Sequence, residues 1–147
     1  MGRSMGVLAL AVLLAAPVLA DQAQTRFTVS AVVPKRVTLT VLEQPAQLVL
    51  SDSDIERGYK DVSARYQVQH NDRNGYLLYL APRIGLTRQI EVRGLAAEVV
   101  LGDADLAIRQ ASAGRLHDFD LAFRFVLDPA ARPGSYALPV HVTAAPL

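Results

Sequence analysis

Cysteine and tryptophan are both absent from this chain of 147 residues. The lack of cysteine excludes disulfides, thiol nucleophiles and cysteine-ligated metals, so the fold must depend on packing and backbone hydrogen bonds. An excess of one charge is also lacking, because 15 basic residues stand against 14 acidic residues and the basic ones form no continuous run. Nucleic-acid binding therefore has no electrostatic support, and we expect no nucleic-acid partner.

Long apolar runs are absent after the N-terminus. There, Arg3 precedes the apolar segment 7–16, and the sequence Pro-Val-Leu-Ala follows at 17–20. This pattern is typical of a signal peptide over residues 1–20 rather than of a membrane anchor, since a spanning helix needs roughly 20 apolar residues. The sequence predicts export of a single mature domain that begins near Asp21 and does not span the membrane.

Apolar and polar residues alternate through most of the mature sequence, as in strands with one buried face and one solvated face. The polar segment 51–61 is predicted as a loop, and Asn74-Gly75 predicts a tight hairpin turn. No segment has a convincing helical period, so we expect an all-β, antiparallel β-sandwich in preference to a small barrel. The predicted strands cover residues 27–33, 37–41, 48–50, 64–69, 76–80, 89–93, 98–101, 106–110, 119–127 and 136–142.

Proline interrupts the last predicted strand at Pro139. A proline nitrogen cannot donate to a sheet ladder, so this position indicates an edge strand or a bulge. A simple local irregularity explains the residue equally well.

No motif in the sequence predicts a catalytic, cofactor-binding or metal-binding site. The histidines at 70, 117 and 141 are dispersed, and we expect His70 and His141 on the surface. His117 begins a polar His-Asp-x-Asp segment that is compatible with weak cation binding but is more typical of the start of a strand. The acidic residues of 52–56 and 103–105 do not follow the calcium-loop pattern and are expected in solvated turns.

Both ends of the mature sequence resemble subunits of chaperone-usher pili, nearest the spore coat protein U-like, or archaic, branch. The resemblance is carried by the alternation over 27–33, and by Pro-Gly-Ser-Tyr at 133–136 leading into an alternating last strand. It covers most of residues 25–147 and rests on pattern. This chain departs from the family at Val37, near which members usually carry a cysteine.

The resemblance implies an incomplete immunoglobulin-like sandwich at 35–147, preceded by an N-terminal extension at 21–34. In such subunits the missing last strand is supplied first by a periplasmic chaperone and then by a neighbouring subunit's extension. Other pilus subunits and an outer-membrane usher are then the further partners, and the location is the periplasm and then the cell surface. The implied donor residues are Phe27, Val29, Ala31 and Val33. The implied groove-edge residues are Tyr136, Leu138, Val140 and Val142.

The residues alone leave other hypotheses open. Segment 27–33 is also compatible with the first strand of a self-complete periplasmic or secreted domain, because either chain path satisfies the alternation. Such a domain would bind a ligand through a tyrosine patch, although tyrosines also fill half-buried strand positions. A secreted hydrolase is the least favoured hypothesis, since no motif supports it. The tyrosines near one loop and hairpin are Tyr59, Tyr66, Tyr76 and Tyr79.

Overall fold

A computed structural model describes residues 28–83 and 85–147 of the chain. The predicted signal peptide and Phe27 lie outside the described residues. Residues 33–147 form one compact unit, to which residues 28–32 do not belong. The elements are β1 Val37–Glu43, β2 Gln47–Leu50, α1 Asp52–Arg57, β3 Tyr59–His70, β4 Tyr76–Pro82, β5 Thr87–Arg93, β6 Val99–Leu101, β7 Leu106–Gln110, β8 Leu116–Leu127, β9 Gly134–Ala137 and β10 Val140–Pro146.

The strands form three antiparallel sheets. A five-stranded sheet has the order β1-β3-β8-β5-β6, a three-stranded sheet has the order β10-β4-β7, and β2 pairs with β9. One cluster of buried side chains draws on all three sheets and lies between them. The prediction of an all-β, antiparallel, sandwich-like fold is confirmed.

The long strands β3 and β8 are the centre of the larger sheet. They pair from Tyr59↔Val126 to Gln69↔Leu116, and every second side chain along each strand enters the core. Full burial of one such side chain contributes about 1.5–3 kcal/mol before conformational entropy is subtracted. The buried side chains of this pair are Ala64, Tyr66, Val68, His70, Leu121, Phe123, Phe125 and Leu127.

The prediction of a loop over 51–61 is wrong, because this segment contains α1 and the start of β3. The helix has a capping box in which Ser51 and Asp54 satisfy each other's backbone N–H groups, and it ends at Gly58 with φ 77°. Six residues are too few to produce a visible 3.6-residue period. The sequence therefore indicates this helix through its capping pattern, Ser-x-x-Asp at 51–54, and not through a helical period.

Asp54 is a buried carboxylate at this cap, with 1 % of its surface exposed. Its oxygens accept hydrogen bonds from the Lys60 ammonium at 2.8 Å, from the Ser51 backbone N–H at 3.0 Å and from the Arg57 guanidinium. These donors, led by Lys60, hold the pKa of Asp54 far below its usual range despite its burial. The carboxylate thus ties the helix to the first residues of β3.

We expect Asp54→Asn to lower the free energy of unfolding by about 2 kcal/mol at neutral pH, since hydrogen bonds to a charged group are lost. The pKa of Asp54 is depressed in the folded state, so its stabilisation is complete above the unfolded pKa of about 4 and declines as the pH falls toward the folded pKa. Urea unfolding at pH 7 and pH 3 measures both effects. Glu56→Gln, at an exposed position of the same helix, is the control; an equal loss in both variants would contradict this role of Asp54.

The last strand of the prediction is divided into β9 and β10 at Leu138 and Pro139. Before the break the chain pairs with β2, and after it with β4. Pro139 lacks an N–H to donate, but its carbonyl oxygen accepts a hydrogen bond from the backbone N–H of Arg83 at 2.9 Å. The irregularity expected at Pro139 is the point at which the chain changes sheets, and β10 after it is an edge strand.

Candidate functional site: an open strand edge

Two edge strands from different sheets lie close together on this domain. β1 pairs with β3, β10 pairs with β4, and in the described part of the chain no ladder joins β1 to β10. Their Cα atoms nevertheless approach within 8 Å. The outer backbone groups of both strands therefore lack strand partners within residues 28–83 and 85–147. We call β1 and β10 together the β1/β10 edge.

The two strands of this edge run in opposite directions. The ammonium of Lys35, two residues before β1, donates a hydrogen bond at 3.0 Å to the main-chain oxygen of Leu147, which follows β10. The beginning of β1 thus lies beside the end of β10. A third strand added here would be antiparallel to one of them and parallel to the other.

Apolar side chains along the β1/β10 edge are less completely covered than those of the central strands. Val37 and Leu39 of β1, with Val142 and Ala144 of β10, pack against the core but stay partly exposed. On β3, by contrast, Tyr66 and Val68 are fully buried. The core thus continues to this edge and is incompletely covered there.

The predicted groove-edge residues divide between two environments. Leu138 and Val140 are buried, with 8 % and 4 % of their surfaces exposed. Tyr136 lies in β9, opposite Leu48 of β2, and its hydroxyl donates to the carbonyl oxygen of Arg132 at 2.8 Å. Val142 alone of the four is a half-buried side chain on β10. The open part of the predicted groove edge is therefore limited to β10.

The described part of the predicted donor segment carries exposed apolar side chains. Val29 is 90 % exposed and Val33 is 75 % exposed, and Ala31 is exposed as well. Residues 28–33 belong to no strand. The expectation that this stretch forms a strand is wrong for these residues, whose alternating pattern is not used within the described sheets. Phe27 lies outside the described residues.

The histidine expected at the surface of the first hairpin is buried instead. His70 is 4 % exposed because it continues the inward alternation of β3, and its ring lies 5.3 Å from that of Tyr76. The Tyr76 hydroxyl is within 3.2 Å of Nε2 of His117. His141 is exposed on β10, as predicted. Among the described residues, no group of three or more acidic or histidine side chains is arranged to hold a metal ion.

The tyrosines do not assemble into an exposed patch. Tyr66 and Tyr76 are buried, and burial raises the pKa of Tyr66 to about 12. The ring of Tyr59 is covered by the guanidinium of Arg124, whose carbon lies 4.3 Å from the ring centroid. The tyrosine positions are therefore better explained by packing than by ligand binding.

The solvated face of the five-stranded sheet is covered by charged pairs. Arg65 meets Asp120 across β3 and β8 at 2.8 Å, and Arg124 meets Asp61 across the same strands at 2.8 Å. Each arginine lowers the pKa of its partner carboxyl group through this contact. These ion pairs are exposed to solvent, so each contributes little to stability.

Comparison with known proteins leaves the chain without an assigned family: no protein-family model, curated protein or solved structure matches it. Within the described residues, no helix has the length and apolar character needed to cross a membrane.

Hydrogen exchange of the monomeric mature chain tests whether the β1/β10 edge is open. In β4, which has a strand on each side, we expect slow exchange at successive amides. In β10 only the amides directed at β4 are paired, so fast and slow exchange should alternate along the strand. Uniform protection of 140–146 would show that this edge is covered.

Proposed function

We propose that this protein is a non-catalytic structural subunit of a bacterial surface fibre, assembled by strand donation between copies or related subunits. The N-terminal extension, through Phe27, Val29, Ala31 and Val33, is the donor. The β1/β10 edge of the next subunit is the acceptor. In this proposal the domain is an immunoglobulin-like sandwich one strand short, exported to the periplasm, held there by a chaperone and passed through an usher to the cell surface.

The observation that carries the proposal is that β1 and β10 have no ladder on their outer sides within the described residues, beside incompletely covered core side chains. Because neighbouring strands lie about 4.7–4.9 Å apart, a strand inserted between β1 and β10 requires them to move apart from their approach within 8 Å. Unpaired N–H and C=O groups along an edge strand invite pairing with another chain. An added strand supplies ladder hydrogen bonds from its backbone and apolar contacts from every second side chain. Val37, Leu39 and Val142 offer the apolar surface that such contacts require.

The donor and the acceptor agree in length. β10 has seven residues, and the apolar alternation of the extension occupies the seven positions 27–33. Seven extended residues span about 23 Å at the usual rise per residue. One extension can therefore pair along the whole of β10 and place four alternate side chains toward the core.

Donor and acceptor are different surfaces of the same chain, which determines the form of the assembly. A head-to-tail contact between unlike surfaces does not close on itself unless its rotation permits a ring, and otherwise it grows into a filament. The absence of cysteine means that no disulfide can hold the subunits together. Affinity then depends on the backbone ladder and on the buried apolar side chains.

Removal of residues 21–33 from the mature chain tests the proposal. We expect the full mature chain to associate and the truncated chain to remain monomeric, because the truncated chain keeps its acceptor and loses its donor. A synthetic peptide of residues 21–33 should bind the truncated chain and raise its unfolding temperature. Sedimentation and thermal unfolding are the measurements. A stable monomer from the full mature chain, together with no effect of the peptide, would support a self-complete domain instead.

A matched pair of charge substitutions tests which face of the extension is buried on assembly. Val29→Asp places a carboxylate on the donor face and should reduce association at least tenfold, because burial of an unpaired charge costs on the order of several kcal/mol. Ser30→Asp places the same charge on the opposite face and should have little effect. Light scattering at matched protein concentrations measures both variants. Equal effects would contradict the assigned donor face.

A further inference from the structure

The root of the N-terminal extension, residues 34–36, is fastened to the turn between β3 and β4. The side-chain amide of Asn71 donates to the carbonyl oxygen of Pro34 at 2.8 Å, and its carbonyl oxygen accepts from the backbone N–H of Arg36 at 2.7 Å. The backbone N–H of Asn71 donates to the carbonyl oxygen of Arg36 at 3.2 Å. One residue of the turn thus satisfies three backbone groups of the root.

Lys35 adds a charged contact between the same two segments. Its ammonium lies 2.7 Å from Oδ2 of Asp72 while it also donates to the main-chain oxygen of Leu147. The Asp72 side chain is only 7 % exposed, and its Oδ1 accepts from the backbone N–H of Asn74 at 2.9 Å. The ammonium of Lys35 and this N–H lower the pKa of Asp72. We call Lys35, Asn71 and Asp72 the root clamp.

The root clamp determines which way the backbone groups of the root are directed. Both the N–H and the C=O of Arg36 bond to Asn71, and the ladder between β1 and β3 begins at the next residue, with Val37 opposite His70. The root therefore continues the path of β1 alongside β3 and its turn. To fold the extension back on the free edge of β1, the chain would have to reverse within 34–36 and break these bonds.

We propose that the root clamp opposes insertion of the extension into its own domain and so keeps the β1/β10 edge available to another molecule. The inference rests on the proposed strand-donation function, since it assigns the clamp a role in choosing between the molecule's own extension and a neighbour's. It makes Lys35, Asn71 and Asp72 determinants of assembly although they lie outside the predicted donor and groove-edge residues.

A distance measurement within one molecule tests the inference. The chain has no cysteine, so Ser30→Cys and Thr143→Cys introduce two unique spin-label sites, one on the face of the extension opposite the donor side chains and one on an exposed position of β10. The labelled mature chain is diluted into unlabelled chain, so that only intramolecular distances are recorded. Insertion of the extension into its own edge should give a short distance of about 10–20 Å, from the 4.7–4.9 Å strand spacing plus the two label arms.

We expect Asn71→Ala to increase the short-distance population about tenfold, the change that corresponds to two lost hydrogen bonds of ordinary net strength. Asn74→Ala, in the same turn, should leave it unchanged, since the clamp contacts of this residue come from its backbone N–H. Lys35→Ala, compared with Arg73→Ala, tests the clamp again at an exposed position if Asn71→Ala folds poorly. Equal distance distributions in each variant and its control would overturn the inference.

The association state of the same samples separates this inference from the proposed function. If the unsubstituted chain associates and Asn71→Ala associates less while its short-distance population grows, both are supported. If the unsubstituted chain does not associate, the proposed function fails, and the distance comparison still decides whether the clamp opposes insertion. If association is normal and the clamp variants match their controls, the clamp inference alone fails.

Discussion

The backbone groups of the β1/β10 edge that have no ladder partner are the constraint on which the proposed assembly depends. Each strand has a ladder on one side and no strand partner on the other within the described residues. Such an edge is costly beside a core that is only partly covered, because water must reach backbone groups next to apolar side chains. A strand from another chain would remove both costs together.

Other parts of the fold hold this edge in place. The paired strands β3 and β8 form the centre of the larger sheet, and β1 joins this sheet through its ladder with β3. The change of sheet at Pro139 moves the last strand from β2 to β4 and leaves the outer side of β10 unpaired. The root clamp attaches the extension at the end of the same edge. The root at 34–36 and the proposed acceptor edge are therefore held by the same compact unit.

Several elements could be predicted from the sequence, because their cause is local. Alternation located β3, β4, β8 and the last strand pair, and Asn-Gly located the turn before β4. The burial of His70 could also have been predicted from the sequence. This residue continues the even-numbered positions of β3, at which the side chains of Ala64, Tyr66 and Val68 are buried in the core. The helix α1 was missed because its signal is a cap and not a period.

Other features could not be predicted because they depend on contacts between distant residues. β2 pairs with β9, although the two segments are far apart in the chain. This pairing limits the open part of the predicted groove edge to β10. The clamp unites positions 35, 71 and 72, which no local pattern connects. Alternation at 27–33 has the same form whether the segment pairs within its own domain or in another molecule, so the sequence pattern alone cannot choose between the two.

A crystal structure of the domain lacking residues 21–33, bound to a peptide of those residues, tests the central claim most directly. Strand donation predicts that the peptide lies between β1 and β10 as an added strand, with Phe27, Val29, Ala31 and Val33 directed into the core. A peptide bound at any other surface, or a domain in which β1 and β10 pair directly with each other, would contradict it.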